Sequence, residues 1–223
     1  MPGFIKRLSA RTSFGSFSPV IKPREAYAKA REGRIPNRVS IHERPEVVQA
    51  NEEFGHWEGD LMAFMKHTQH ILVLRERQTM FTLSLPLAGK KAPNAALALI
   101  RLLKGLPPQA RKTLTLDNGG EFAAHQTVFK NLGVPSYFCD PYASWQKGGI
   151  ENTNSRLRRD LPRKTNIQTM QQKEFNETIQ NYNMSPRKNS IGSHQSRPST
   201  QIYIMSHFKL ECARVAFFAL MMI

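Results

Sequence analysis

Residues 55–64, GHWEGDLMAF, followed by 70–78, HILVLRERQ, and 80–87, MFTLSLPL, are three successive runs rich in apolar and β-favouring side chains. Short polar or basic breaks such as Lys66-His67-Thr68-Gln69 separate them, so the simplest reading is three consecutive antiparallel strands. Downstream, 92–106, APNAALALIRLLKGL, carries Ala96, Leu97, Leu99, Ile100, Leu102 and Leu103 on a helical stripe. Pro93-Asn94 open that helix, and Gly105 with Pro107-Pro108 close it.

A short strand over 112–117 follows, ending at the turn formers Asn118, Gly119 and Gly120. A helix over 121–132, a strand over 136–139, a flexible loop over 142–149, a helix over 150–161 and another over 170–182 complete the pattern. The order, three strands and then alternating helix and strand, predicts an α/β domain in which helices flank one mixed sheet of about five strands. That element order is compatible with an RNase H-like fold. Trp57, beside the first strand, is expected to be core.

Upstream, residues 1–50 are basic, poor in large apolar groups and punctuated by Pro2, Pro19, Pro23, Pro36 and Pro45, which reads as an extended arm or linker. The catalytic unit is expected over 51–188. Residues 189–223 read as an irregular tail of out-of-frame or foreign sequence, ending in the apolar run ARVAFFALMMI.

The 223-residue chain holds 32 Lys and Arg against 17 Asp and Glu, a formal net charge of +15. With an isoelectric point near 10.2, such an excess favours polyanions, nucleic acid first. The only two cysteines, Cys139 and Cys212, signal neither a disulfide framework nor a zinc finger. A reduced cytoplasmic protein is therefore expected. Neither the amino-terminal stretch nor the apolar run 215–223 fits a signal peptide or a membrane span.

Three acidic residues stand at element ends: Asp60 in the first strand, Asp117 closing the fourth, and Glu151 in the first turn of a helix. Between the first two lie 56 residues, and between the last two 33. Carboxylates gathered in a low-dielectric pocket repel one another unless hard cations neutralise them, and oxygen ligands suit Mg2+ or Mn2+. Two such ions can activate an attacking hydroxyl and stabilise the leaving oxygen of an in-line phosphoryl displacement.

HWEGDL at 56–61, TLDNGGEFAAH at 115–125, YFCDPYASWQKGGIENTNSRLRRDLP at 137–162 and NMSPRK at 183–188 together resemble the IS-thirty family of bacterial insertion-sequence transposases. The resemblance spans about 39–188 and includes the 33-residue Asp-to-Glu interval. It implies a retroviral-integrase-type catalytic core with Asp60, Asp117 and Glu151 as catalytic metal ligands. The implied activity is Mg2+- or Mn2+-dependent cleavage and transfer of DNA strands by a DDE transposase, working on transposon ends and target DNA as a homo-oligomer associated with the bacterial nucleoid. The family's amino-terminal helix-turn-helix is not expected from residues 1–50, so the alternative is a truncated, non-catalytic DNA-binding remnant that interferes with the full-length enzyme.

Asn118, Lys147, Asn152, Asn154, Arg156 and Arg159 are the candidate DNA-binding residues. Several share a helical face beside Glu151, and the run from Arg156 to Lys164 holds five basic residues against one acid. Gly119 and Gly120 permit a tight turn next to Asp117. Trp145, in the loop ahead of Glu151, is placed to stack on an unpaired base or to serve as an ordinary loop aromatic. His56 and His125 read as structural hydrogen-bonding groups.

Overall fold

The computed structural model describes residues 35–185; the readings made for 1–34 and 186–223 lie outside them. The elements in chain order are β1 (Val39–Ser40), α1 (Glu46–Ala50), β2 (His56–Phe64), β3 (Gln69–Glu76), β4 (Thr82–Leu87), α2 (Ala92–Lys104), β5 (Thr113–Leu116), α3 (His125–Leu132), β6 (Ser136–Phe138), α4 (Gly148–Asp160) and α5 (Gln172–Met184). They form one six-stranded sheet in the order β1-β6-β5-β2-β3-β4. β2, β3 and β4 are an antiparallel meander, while β5 runs parallel to β2, β6 to β5, and β1 to β6. Setting the small β1 aside, the meander extends from one edge of β2 and two parallel strands from the other. This is the RNase H-like arrangement anticipated from the element order.

Strand alternation divides the core in two. On β3, Leu72 and Leu74 face one layer and Ile71 and Val73 the other, all four fully buried, as befits an interior strand covered on both sides. Trp57, Leu114, Leu116 and Phe138 pack with Leu99 and Leu103 of α2 and Val128 of α3. Met62 and Phe64 pack on the opposite layer with Ile150 and Leu157 of α4 and Phe175 and Ile179 of α5. Trp57 is core, as expected, and its indole nitrogen donates to the Ala110 carbonyl at 2.8 Å.

Several expectations change in detail. The sheet has six strands rather than about five because Val39–Ser40 adds a two-residue strand, too short to leave a periodic signal. Residues 35–50, expected at the end of an arm, contribute three buried side chains and a two-residue strand to the folded domain. Ile35, Ile41 and Val48 are buried, and Arg38 donates to Asn118 Oδ1 at 2.8 Å and to the Cys139 carbonyl at 3.0 Å. Leu97, placed on the apolar stripe of α2, is 56% exposed, while Ala95 and Ala98 are buried. So many apolar residues crowd that helix that they cannot all face the sheet; the buried Ala95, Leu99 and Leu103 follow the i, i+4 spacing, with Ala96 and Ala98 buried beside them. The stretch 142–149 carries a 3-10 segment at Ser144–Lys147, and α4 begins at Gly148.

Candidate active site

Even-numbered residues of β2 point toward α4, and they change character along the strand: Glu58 and Asp60 first, then the apolar Met62 and Phe64. α4 lies along this face. Its Ile150 amide donates to Glu58 Oε2 at 2.9 Å, Asn154 Nδ2 donates to Asp60 Oδ2 at 2.7 Å, and Arg158 Nη2 donates to the Ala63 carbonyl at 2.8 Å. The Arg158 guanidinium also stacks over Phe64 at 4.4 Å from the ring centroid. Four helical residues advance about 6 Å. Two strand residues advance about 6.6 Å. Residues 150, 154 and 158 can therefore keep step with successive positions on one face of β2.

Asp117 follows directly on β5, the parallel neighbour of β2, so the two aspartates converge from adjacent strands. Its Oδ1 accepts the Gly119 amide at 2.9 Å, which fixes the side chain over the turn. A Cβ at Gly119 would lie 2.6–2.9 Å from the carboxyl groups of Glu121 and Asp117, so a side chain here would crowd the carboxylate. Asp60 and Asp117 share one cation: Lys147 Nζ stands 2.9 Å from Asp60 Oδ1 and 3.0 Å from Asp117 Oδ2.

Burial pushes the Asp60 carboxyl above the usual carboxylate range, with Lys147 pulling the other way and Asp117 adding to the rise. Burial also works against the Lys147 ammonium, but the two aspartates outweigh it and hold the lysine well above its ordinary value. The lysine is thus a charged ammonium between two carboxylates, and a hard cation is the occupant their oxygens call for. Two carboxylates are oxygen donors of the kind that Mg2+ or Mn2+ takes, and Lys147 stands in the place between them.

Glu151 lies in the first turn of α4, four residues after Lys147 and three before Asn154, the two residues that touch Asp60. Its own side chain is exposed. Among the described residues no group of three His, Cys, Asp or Glu side chains closes to metal-binding distance. The structure brings Asp60 and Asp117 together and puts Glu151 four residues after their shared lysine, with its side chain outside hydrogen-bond reach of Lys147 and Asn154.

The six candidate DNA-binding residues divide into two sets. Lys147 and Asn154 bind the aspartates, and Asn118 is engaged by Arg38 and by the Cys139 carbonyl, which accepts its amide at 2.5 Å. Asn152, Arg156 and Arg159 are exposed at i, i+4 and i+7, a polar stripe along α4 beside Glu151. Trp145 is 77% exposed just ahead of that helix. His56 bonds Thr113 and Glu53, and His125 bonds the Pro36 carbonyl, both in the structural role expected of them.

Sequence reasoning passed over Glu58. This buried carboxylate meets Arg77 in a very close ion pair, Arg75 at 3.5 Å and the Ile150 amide. The available signal was its place two residues before Asp60, with the RER run of 75–77 on the next strand; Glu58 is paired in register with Arg75.

None of the known protein-family models matches the chain. Among curated proteins, it is 39% identical over 158 residues to the transposase for insertion sequence element IS1086 of Cupriavidus metallidurans, a match covering 71% of this chain and 47% of that protein. It is likewise 39% identical over 154 residues to transposase InsI for IS30C of Escherichia coli, covering 69% and 40%. With the transposase for IS4351 of Bacteroides fragilis it shares 38% over 162 residues, covering 71% and 48%. The chain thus spans less than half the length of these relatives. A looser structural likeness, TM-score 0.45 at 21% identity, covers 69% of this chain and 96% of a BIV integrase catalytic core domain; the fold assignment rests on strand order, not on that likeness.

Proposed function

Over about seven-tenths of its length the chain is a homologue of the IS30-family insertion-sequence transposases, and from that premise we propose that it is a DDE transposase core that cleaves and joins DNA strands at Asp60, Asp117 and Glu151. The observation that carries the reading is the pair of aspartates on adjacent parallel strands sharing one cation, with Glu151 a helical turn away.

Asp60 and Asp117 would hold Mg2+ or Mn2+, and Glu151 would complete the set from α4. The bound ions supply charge neutralisation at the scissile phosphate and activation of the attacking hydroxyl. The protein's share is positional. The Asx turn at Gly119 aims Asp117, and Asn154 holds one oxygen of Asp60, leaving the other to the shared cation. Lys147, once displaced, is a long flexible cation at the site and suits a DNA phosphate. Asn152, Arg156 and Arg159 continue the contact along the backbone, where they set register rather than read sequence. The chemistry is hydrolysis that frees a 3′-hydroxyl, followed by attack of that hydroxyl on a target phosphodiester. The reading also includes transposon-end and target DNA as partners and a homo-oligomeric working form in the bacterial cytoplasm; among the described residues no helix is long and apolar enough to cross a membrane.

The test is nicking of a DNA duplex by the purified chain in Mg2+ or Mn2+. Activity that disappears with Asp117→Ala supports the proposal. Salt-sensitive DNA binding with no metal-dependent nicking would instead select the non-catalytic DNA-binding alternative.

A further inference from the structure

We infer that Glu58, with Arg75 and Arg77, is a positioning residue that docks the first turn of α4 onto β2 and thereby sets the reach of Glu151 toward Asp60 and Asp117. The inference rests on the proposed metal-binding role of those three carboxylates.

Glu58 is 2% exposed and meets two arginines and one backbone amide. Arg77 pairs with Oε1 and also donates through Nε to the Val48 carbonyl at 3.2 Å, so this guanidinium is itself held from two sides. Arg75 stands 3.5 Å from Oε2, in register across the strand pair. The same Oε2 accepts the Ile150 amide at 2.9 Å. That amide belongs to the first turn of α4, where backbone N–H groups lack helical partners and the helix dipole favours a negative charge. Ile150 is the residue immediately before Glu151, so the hydrogen bond ties the backbone beside Glu151 to the strand that carries Asp60.

Gly149 shows how close that docking is. A Cβ there would stand 2.2 Å from Arg75 Nη1 and 2.7 Å from Glu58 Oε2. Only glycine lets the turn settle against the ion pair. With any side chain, either Arg75 leaves Glu58 or the start of α4 lifts away from β2. The Asn154 and Arg158 contacts further along α4 would still hold the rest of the helix, so the shift is concentrated at the end that carries Glu151.

The experiment is a thermodynamic cycle in Mn2+ affinity, measured by calorimetry on the full chain without DNA. Wild type, Gly149→Ala and Glu58→Gln are each compared with and without Glu151→Gln. Removing an outer-shell partner of a metal site costs about 10- to 100-fold in affinity, so Gly149→Ala is expected to weaken Mn2+ binding about tenfold. In the Glu151→Gln background the same substitution is expected to change nothing, because the ligand it displaces is already gone.

Unchanged affinity in Gly149→Ala overturns the inference, and so does an equal loss in both backgrounds, which marks a general loosening of the fold. If Glu58→Gln does not fold with two arginines left facing a neutral amide, Gly149→Ala carries the test alone, since alanine is the better helix former. Wild-type protein that binds no Mn2+ overturns the metal-site reading and this inference with it. Wild type that binds Mn2+ and loses affinity with Glu151→Gln, yet shows no coupling to Gly149→Ala, overturns the inference only.

Discussion

Glu58 and Asp60 sit two residues apart on β2, on the same face of the strand and against the same helix, and the fold treats them differently. Glu58 is neutralised by two arginines, one of them also held by the Val48 carbonyl, and accepts a helix amide. Asp60 is neutralised by one lysine, shared with Asp117, and by one amide side chain. Guanidinium is a planar, permanently charged fork that locks a carboxylate in place, whereas a lysine is a point charge on a flexible stem that can withdraw. A carboxylate held by fixed donors belongs to the architecture. On the proposed function, one held by a flexible, replaceable cation belongs to the chemistry. Burial alone does not separate the two roles; the replaceability of the counter-charge does.

The contrast breaks most sharply if the two residues exchange roles on mutation. Asp60→Asn should lower metal-dependent nicking by about 10²- to 10³-fold, the scale seen when a group that stabilises transition-state charge is removed. Its melting temperature should change little, because relief of the buried carboxylate's desolvation is offset by the loss of one of the two counter-charges that hold Lys147, with Asp117 still in place. Glu58→Ala should act the other way round. Removing one side of a buried ion pair costs about 3–5 kcal/mol. For a chain of this size that is a fall of about 6–20 °C in melting temperature. Calorimetric melts of both variants alongside a nicking assay check the pair, and a wild-type melt for Glu58→Ala would remove the distinction.

Much of this was legible before any coordinates. The meander, α2, the turn after β5 and the start of α4 all come from local signals: alternation, helical spacing, and Gly or Pro punctuation. Asp60, Asp117 and Glu151 stood out through spacing and motif. What stayed hidden depends on partners distant in the chain. Glu58 is defined by Arg75, Arg77 and Ile150, and no local pattern says that those four meet. Lys147 read as a DNA contact because a basic residue beside a catalytic motif usually is one; that it bridges two aspartates, 87 and 30 positions away, follows only from the convergence of β2 and β5. Residues 35–50 carry no periodic signal because their apolar groups, Ile35, Ile41 and Val48, are sparse, yet each is buried in the fold.

Lys147 sharpens the comparison from the side of the cation. Lys147→Met keeps much of the aliphatic stem and removes the ammonium, so Asp60 and Asp117 face each other without a counter-charge. Mn2+ should then bind more tightly, since it no longer competes with the lysine. A hydrogen bond to a charged group is worth about 1.5–3 kcal/mol, and losing one such competitor corresponds to about a tenfold gain in affinity. The metal-free variant should melt below wild type and regain that loss when Mn2+ is added. Calorimetric titration and melts with and without the ion report both effects. Unchanged or weaker Mn2+ binding would mean that the lysine is fixed as firmly as the arginines at Glu58, and the distinction between locked and replaceable counter-charges would fail at this site.

The smallest effect belongs to the outer stripe of α4, where Arg156 and Arg159 are exposed and have no role in fixing the helix to the sheet. The inward face of the same helix is already committed, through Ile150, Asn154 and Arg158, to β2. If the outward arginines meet phosphates, each releases condensed counterions on binding, and each substitution by Gln should flatten the slope of log affinity against log salt by about 0.9 on duplex DNA. The loss should be equal across unrelated sequences, because phosphate contacts carry no base information. Melting curves should superimpose on wild type, and Mn2+ affinity should be unchanged. Arg158→Gln is the internal control: it should lower stability through its lost contacts with Phe64 and Ala63 while leaving the salt slope as it was. Binding isotherms at several salt concentrations for the three variants decide whether the two faces of α4 are divided in this way. A salt slope that changes with Arg158 and not with Arg156 or Arg159 would put the DNA on a different surface.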